Sequence, residues 1–114
     1  MKQVSISLIF GAGVISLAGL LPAHAAVNAA AAEALVERND CYNCHSVDKT
    51  KKGPSFKKIA AKYKGKPDGQ DKAIKNMTAG LKVKLSDGTE EDHKVIDTKD
   101  PKELKNLADW ILSR

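Results

Sequence analysis

The residues with the most specific chemistry are two cysteines and a histidine in the segment Cys41-Tyr42-Asn43-Cys44-His45. This segment has the form C-x-x-C-H, the attachment site of a c-type haem. Two thiols at this spacing reach the two vinyl groups on one edge of a porphyrin and form thioethers, and the next imidazole binds the iron. The spacing predicts one covalent haem c, held by Cys41 and Cys44, with His45 as the proximal iron ligand.

Two other interpretations of the cysteines are weaker. A thioredoxin-type C-x-x-C lies beside a βαβ pattern, and no such pattern is visible here. A structural zinc site needs four ligands, usually in two separated pairs. Downstream of residue 25 the chain offers four such side chains, which are Cys41, Cys44, His45 and His93. Counting therefore leaves zinc open, although the adjacent Cys44 and His45 are poorly placed to bind one tetrahedral ion.

The first 25 residues have the features of a secretion signal. Lys2 gives a positive start, an apolar run covers residues 4–21, and residues 23–25 match the A-x-A pattern of a cleavage site. The sequence predicts a signal peptide over residues 1–25 and export of residues 26–114 to the periplasm, where bacterial c-type haem is attached. An uncut N-terminal anchor is the alternative, because the apolar run is near the lower length limit for a membrane span.

The segment that remains after cleavage, residues 26–114, is predicted to form one small domain. A chain of this length buries a limited core and needs a further stabilising element, which a covalent haem supplies. The sequence is basic, with a formal net charge of +5. Five lysines crowd the segment after the haem motif: Lys49, Lys51, Lys52, Lys57 and Lys58.

This lysine run has two interpretations. It is a solvated face, the usual case for such a run, or a positive rim that steers an acidic redox partner to the haem edge. The expected partners are redox proteins with an acidic docking surface. Export and haem attachment argue against nucleic acid, and no membrane association is expected once the signal peptide has been cleaved.

Apolar periodicity indicates an all-α domain. The pattern predicts a first helix over residues 29–39 with one side available for close packing, formed by Ala31, Ala34, Leu35 and Arg38. A second helix is expected to begin at Pro54, and a shorter third helix covers about residues 70–77. The second helix carries apolar residues at i, i+3, i+4 and i+7, which are Phe56, Ile59, Ala60 and Tyr63.

The C-terminal helix has the clearest start. Asp100 is a good N-cap, Pro101 suits the first helical position, and Glu103 completes a capping-box pattern. Its apolar face is expected to contain Leu104, Leu107, Ala108 and Ile111. Upstream of this helix, a turn signal at residues 86–88 predicts a possible short hairpin near residues 82–90.

Residues 26–114 resemble a small class I cytochrome c of the bacterial c551/c552 type. The resemblance rests on the haem motif, on Gly-Pro-Ser-Phe at residues 53–56, and on Leu-Ala-Asp-Trp-Ile-Leu at residues 107–112. It implies N- and C-terminal helices that cross around a covalent haem. It also implies that the carbonyl of Pro54 accepts a hydrogen bond from His45 and so orients the proximal ligand.

The chain departs from this family where the sixth iron ligand belongs. Such cytochromes carry a methionine before the C-terminal helix, and residues 81–95 contain none. Met77, at the end of a predicted helix, is expected to fill the core. His93 lies where the ligand is missing, and imidazole binds iron strongly. We therefore predict His93 as the distal ligand, with an open or water-filled site, an Asn or Lys ligand, or Met77 as alternatives.

Three acids precede this histidine, namely Glu90, Glu91 and Asp92. They are expected to form a solvated acidic loop. If His93 left the iron, their charges would favour its protonated form.

Two classes of function are consistent with these residues. The favoured one, by analogy at the level of the fold, is a periplasmic monohaem c-type cytochrome. It would transfer single electrons between redox partners, either as a soluble carrier or as the small subunit of an oxidoreductase. The alternative is a haem protein that binds O₂, NO or CO at an exchangeable sixth site. No acid–base pair can be placed over the iron, so no enzymatic activity is expected.

Overall fold

The computed structural model describes residues 26–114, together with Gly11, Gly13, Val14 and Gly19. The rest of the predicted signal peptide lies outside the described residues. The elements of the described part are α1 (Ala29–Arg38), α2 (Phe56–Tyr63), α3 (Gly69–Thr78), β1 (Lys82–Lys84), β2 (Glu90–Asp92) and α4 (Pro101–Leu112). In this part of the chain, no helix combines the length and the apolar composition that crossing a membrane requires.

Helix α1 starts where the sequence predicted and ends at Arg38, with Asn39 as its C-cap. Its buried face consists of Ala32, Leu35 and Val36. Leu35 is buried as expected, whereas Ala31, Ala34 and Arg38 are exposed, so most of the predicted packing side was wrong. Residues 29–32 are all alanine, and a run of identical residues carries no periodic signal that could identify the packed side.

Helix α2 begins at Phe56, two residues later than predicted. The side chain of Ser55 accepts a hydrogen bond from the backbone nitrogen of Lys58 at 3.1 Å, so Ser55 is the N-cap. A serine at this position satisfies one of the unpaired N–H groups of the first turn. Pro54 is therefore outside the helix, and its carbonyl is available to another partner. Helix α3 extends the predicted range by one residue at each end.

Helix α4 begins as predicted. Asp100 accepts a hydrogen bond from the backbone nitrogen of Lys102 at 2.9 Å, and Pro101 is the first helical residue. Glu103 does not close a capping box with the backbone nitrogen of Asp100. Its carboxylate accepts a hydrogen bond from the hydroxyl of Thr98, and that hydroxyl accepts one from the backbone nitrogen of Asp100 at 3.2 Å. The predicted apolar face is buried, together with Trp110: Leu104, Leu107, Ala108 and Ile111.

Strands β1 and β2 form the predicted hairpin, which continues to Asp92. They pair antiparallel, with Lys82 opposite Asp92 and Lys84 opposite Glu90. The three acids therefore form an exposed strand rather than the expected loop. Lys82 and Asp92 form an ion pair at 3.0 Å. Because opposite charges face one another across the two strands, most of this acidic patch is compensated locally.

The core lies between α4 and the other three helices, each of which packs against it. Phe56 meets Trp110 edge-to-face, with 5.7 Å between the ring centroids. Met77 is half-buried and packs against this core, as expected of a methionine that fills space. Several core residues also form the wall of a large cavity, namely Val36, Phe56, Ile96, Leu107 and Ile111. The apolar core and the candidate site are thus continuous.

Candidate haem site

A cavity of about 730 Å³ lies between the end of α1, helix α3 and the hairpin. This volume is within the range of sites that enclose a small molecule or cofactor. The residues predicted to bind the haem all line it: Cys41, Cys44, His45, Pro54 and His93. The chain therefore brings together every site residue that the sequence singled out, in the wall of one cavity.

The haem motif owes its shape to a tight 3₁₀ turn over Cys41–Asn43. The backbone nitrogens of Cys44 and His45 both donate to the carbonyl of Cys41, at 3.2 and 2.9 Å. Asp40, in the left-handed region at φ 54°, turns the chain sharply out of α1. Both cysteines are unpaired and half-buried. The turn thus presents two thiols and one imidazole to the same cavity.

The environment of the thiols bears on the alternatives to haem. Burial raises the pKa of the Cys41 thiol, whereas redox-active and metal-binding cysteines act as thiolates. Across residues 26–114, no group of three or more His, Cys, Asp or Glu side chains is arranged to hold a metal ion. Neither the thioredoxin-type interpretation nor the zinc interpretation gains support from this geometry.

His45 is held in one orientation and one tautomer. Its Nδ1–H donates to the carbonyl of Pro54 at 2.7 Å, which leaves Nε2 without a proton and available to a metal. Burial lowers the pKa of His45, and the neutral imidazole is the form that binds metals. A Cβ at Gly53 would lie 2.9 Å from Cε1 of His45. The ring can therefore reach this position only because residue 53 has no side chain.

His93 follows β2 and faces His45 across the cavity. The centroids of the two rings are 6.1 Å apart, with 46° between their planes. A bond from a metal to an imidazole nitrogen is about 2 Å long, and each such nitrogen lies about 1 Å from the centroid of its ring. Two imidazoles bound to opposite sides of one metal ion therefore have ring centroids about 6 Å apart. The Nδ1–H of His93 donates to the carbonyl of Lys94 at 2.8 Å. The spacing of the two rings suits one iron between them.

The roles of two residues in this geometry were not predicted from the sequence. Gly53 was noted only as part of the Gly-Pro-Ser-Phe segment, and glycine is the residue that lets another group approach the backbone closely. Lys94 contributes only its backbone carbonyl, and every residue type has one, so no sequence signal could have identified it. Met77, the alternative ligand, also lines the cavity while its side chain packs against the core.

Comparisons with known proteins agree with these observations. The sequence profile of the family Cytochrome c matches residues 29–114. The chain is 35% identical over 81 residues to cytochrome c-551 of Pseudomonas denitrificans, a match that covers 71% of this chain and 94% of that protein. It is 30% identical over 100 residues to cytochrome c-552 of Hydrogenobacter thermophilus, covering 88% of this chain and 90% of that one.

Solved structures share the fold. The class 1 cytochrome MtoD from Sideroxydans lithotrophicus is 53% identical, with a TM-score of 0.73 over 77% of this chain and 97% of that one. Cytochrome c552 of Nitrosomonas europaea is 30% identical, with a TM-score of 0.57 over 71% and 96% of the two chains. The expected class I fold is confirmed, and Cys41 and Cys44 fit the motif that binds one covalent haem c. The chain therefore belongs to the cytochrome c family, as a monohaem c-type cytochrome of the electron-carrier type.

Proposed function

We propose that the protein is a periplasmic electron carrier whose haem iron is bound by His45 on one face and by His93 on the other. The observation that carries this proposal is the pair of imidazoles facing each other across the cavity, 6.1 Å apart. Each ring donates Nδ1–H to a backbone carbonyl. Such contacts fix the tautomer and make the ligand more basic.

The haem, when bound, supplies one-electron redox chemistry, and the chain supplies attachment, orientation and shielding. The thiols of Cys41 and Cys44 would hold the porphyrin through thioether bonds to its vinyl groups. Buried Val36, Phe56 and Leu107 form an apolar part of the cavity wall. An apolar surrounding of this kind controls solvent access and dielectric around the iron, and through them its redox potential.

The gas-binding alternative needs an exchangeable sixth position. His93 lies opposite His45, and it is held at two points. Its backbone nitrogen donates to the carbonyl of Leu81 at 2.8 Å, and its ring donates to the carbonyl of Lys94. Within the described residues we find no observation that favours an open site. We infer an electron-carrier role without an enzymatic activity of the protein's own.

The spectrum of the holoprotein tests this ligand set directly. We expect the ferric protein to show the low-spin electron paramagnetic resonance signals of two imidazoles and no sulfur-to-iron absorption band. Its midpoint potential should lie clearly below that of His/Met class I cytochromes, because methionine ligation raises the potential of a haem. Potentiometric titration followed in the visible spectrum gives that value.

Met77→Leu is the matched control, because leucine keeps the volume of the side chain and removes the sulfur. We expect this variant to keep both the spectrum and the potential of the parent. A sulfur-to-iron band in the parent that disappears in Met77→Leu would place methionine on the iron and contradict the assignment of His93.

We further propose that an acidic redox partner docks on the lysine surface, defined as Lys49, Lys51, Lys52, Lys57 and Lys58. All five are exposed. Lys57 pairs with Asp48, and the ammonium of Lys51 donates to the backbone carbonyl of Tyr42, so this surface adjoins the haem motif. Within the described chain, no carboxylate lies at ion-pair distance from Lys52 or Lys58. Their charges remain available for steering.

Charge reversal tests the steering role. The double variant Lys52→Glu/Lys58→Glu should slow oxidation of the reduced protein by ferricyanide several-fold at low ionic strength. The difference should vanish at high salt, where the Debye length is short. Stopped-flow absorption measures both rates. Lys102→Glu/Lys105→Glu on α4 changes the net charge equally at exposed positions outside the segment that follows the haem motif. Equal slowing by both pairs would contradict a local docking surface.

A further inference from the structure

The end of α1 and the segment after His93 are tied together by a set of polar contacts. The residues of this set, which we call the clamp, are Arg38, Asn39, Asp40, Lys94 and Asp97. Three of them directly precede Cys41 in the chain, and the other two follow His93. The clamp therefore joins the segment that attaches the haem to the segment that carries the proposed distal ligand.

Asn39 is the centre of the clamp. Its side chain is buried, with 3% exposure. The amide nitrogen donates to the carbonyl of Leu35 at 2.9 Å and to Oδ1 of Asp97 at 3.1 Å, and the amide oxygen accepts from the backbone nitrogen of Asp97 at 2.9 Å. Both polar atoms of this side chain are thus satisfied. A buried amide with all its partners present specifies one arrangement of the segments it joins.

Two ion pairs flank this amide. Nε of Arg38 donates to Oδ2 of Asp97 at 2.9 Å and Nη2 donates to Oδ1 at 3.2 Å, which is a bidentate contact. The hydrogen bond from Arg38 holds the pKa of Asp97 below its ordinary value, so the carboxylate is charged at neutral pH. On the other side, Nζ of Lys94 lies 3.3 Å from the carboxylate of Asp40.

Exposed ion pairs add little to the free energy of unfolding, and the Arg38–Asp97 pair is about half-exposed. The clamp is therefore more important for where it holds the segment after His93 than for the stability it adds. The backbone of His93 is held by the carbonyl of Leu81, whereas its ring is hydrogen-bonded to the carbonyl of the next residue, Lys94. The orientation of the ring therefore depends on what holds the segment after it. That segment is held by the clamp and by the backbone bond from Ile96 to the carbonyl of Met77 at 2.9 Å.

We infer that Asn39 and Asp97 are positioning residues that keep His93 on the iron, by fixing the loop after His93 to the chain that attaches the haem. This inference rests on the proposed ligation by His93. With the clamp intact, His93 stays within bonding distance in both redox states, and external ligands are excluded. With the clamp broken, the loop moves and His93 leaves the iron more often.

Cyanide binding to the ferric holoprotein measures this detachment, because cyanide reaches the iron only after the sixth ligand leaves. Asp97→Ala removes a half-exposed side chain, so the protein should still fold. We expect it to bind cyanide about tenfold faster than the parent, as the loss of hydrogen bonds to a charged group predicts. Asp97→Asn keeps the shape and loses the charge, and its rate should lie between those of Asp97→Ala and the parent.

Asn106→Ala is the matched control. Asn106 and Asn28 form a similar reciprocal bridge, with hydrogen bonds of 2.8 and 2.9 Å, outside the cavity wall. This control should bind cyanide at the parent rate. If Asp97→Ala bound cyanide at the parent rate, the positioning role would be overturned, while ligation by His93 would be unaffected. If Asn106→Ala accelerated cyanide binding as much as Asp97→Ala, the cause would be general destabilisation, and the positioning role would again be overturned. A parent spectrum without two imidazoles would instead refute ligation by His93, and this inference with it.

Discussion

Replacing His93 with alanine is expected to convert the holoprotein from a six-coordinate, low-spin protein into a high-spin one that binds CO rapidly when reduced. The imidazole of His93 faces His45 across the cavity, with 6.1 Å between the ring centroids. Removing it opens the sixth position, whereas the unmutated protein should not bind CO at neutral pH. Absorption spectra give the spin state, and stopped-flow mixing of the reduced protein with CO gives the rate.

His93→Met is the informative companion to this variant. A thioether in place of the imidazole should restore a low-spin haem and raise the midpoint potential above that of the parent, since sulfur favours the ferrous state relative to a second nitrogen ligand. Rapid CO binding by the unmutated protein would contradict the closed site. In that case the gas-binding alternative, with an exchangeable sixth position, would replace the electron-carrier proposal.

Replacing both cysteines of the haem motif is expected to have the second large effect, the loss of covalently bound haem. Acid–organic extraction should leave the haem on the parent chain, because two thioethers hold it, and it should remove haem from Cys41→Ala/Cys44→Ala. Without haem this double variant should lose much of its helical circular dichroism at room temperature. The reason is that a cavity of about 730 Å³ then lies open beside a small core.

Asn43→Ala is the control for this experiment. It changes an exposed residue inside the motif and keeps both thiols and the imidazole in place. We expect it to retain covalent haem and the helix content of the parent. A parent protein that releases all its haem on extraction, or that is isolated with zinc instead, would refute the assignment of the motif.

The sequence alone was sufficient for several features whose determining residues are neighbours in the chain. The haem motif is contiguous, so its spacing already specifies which thiols and which imidazole act together. The start of α4 at Asp100 and Pro101 and the turn of the hairpin are equally local. At α2 the local signal was present but was assigned to the wrong residue: the helix was expected to begin at Pro54, whereas Ser55 is the N-cap and Phe56 the first helical residue.

Only the tertiary structure decided which distant residues meet. The sequence suggested His93 by the absence of a methionine, but the distance and tautomer that suit it to an iron arise from the path of the chain through α3 and the hairpin. The burial of Ala32 and Val36 on α1 and the contacts of Asn39 with Asp97 were likewise not predicted. Residue types and spacing encode local geometry, whereas contacts between remote segments depend on how all the helices pack around one core.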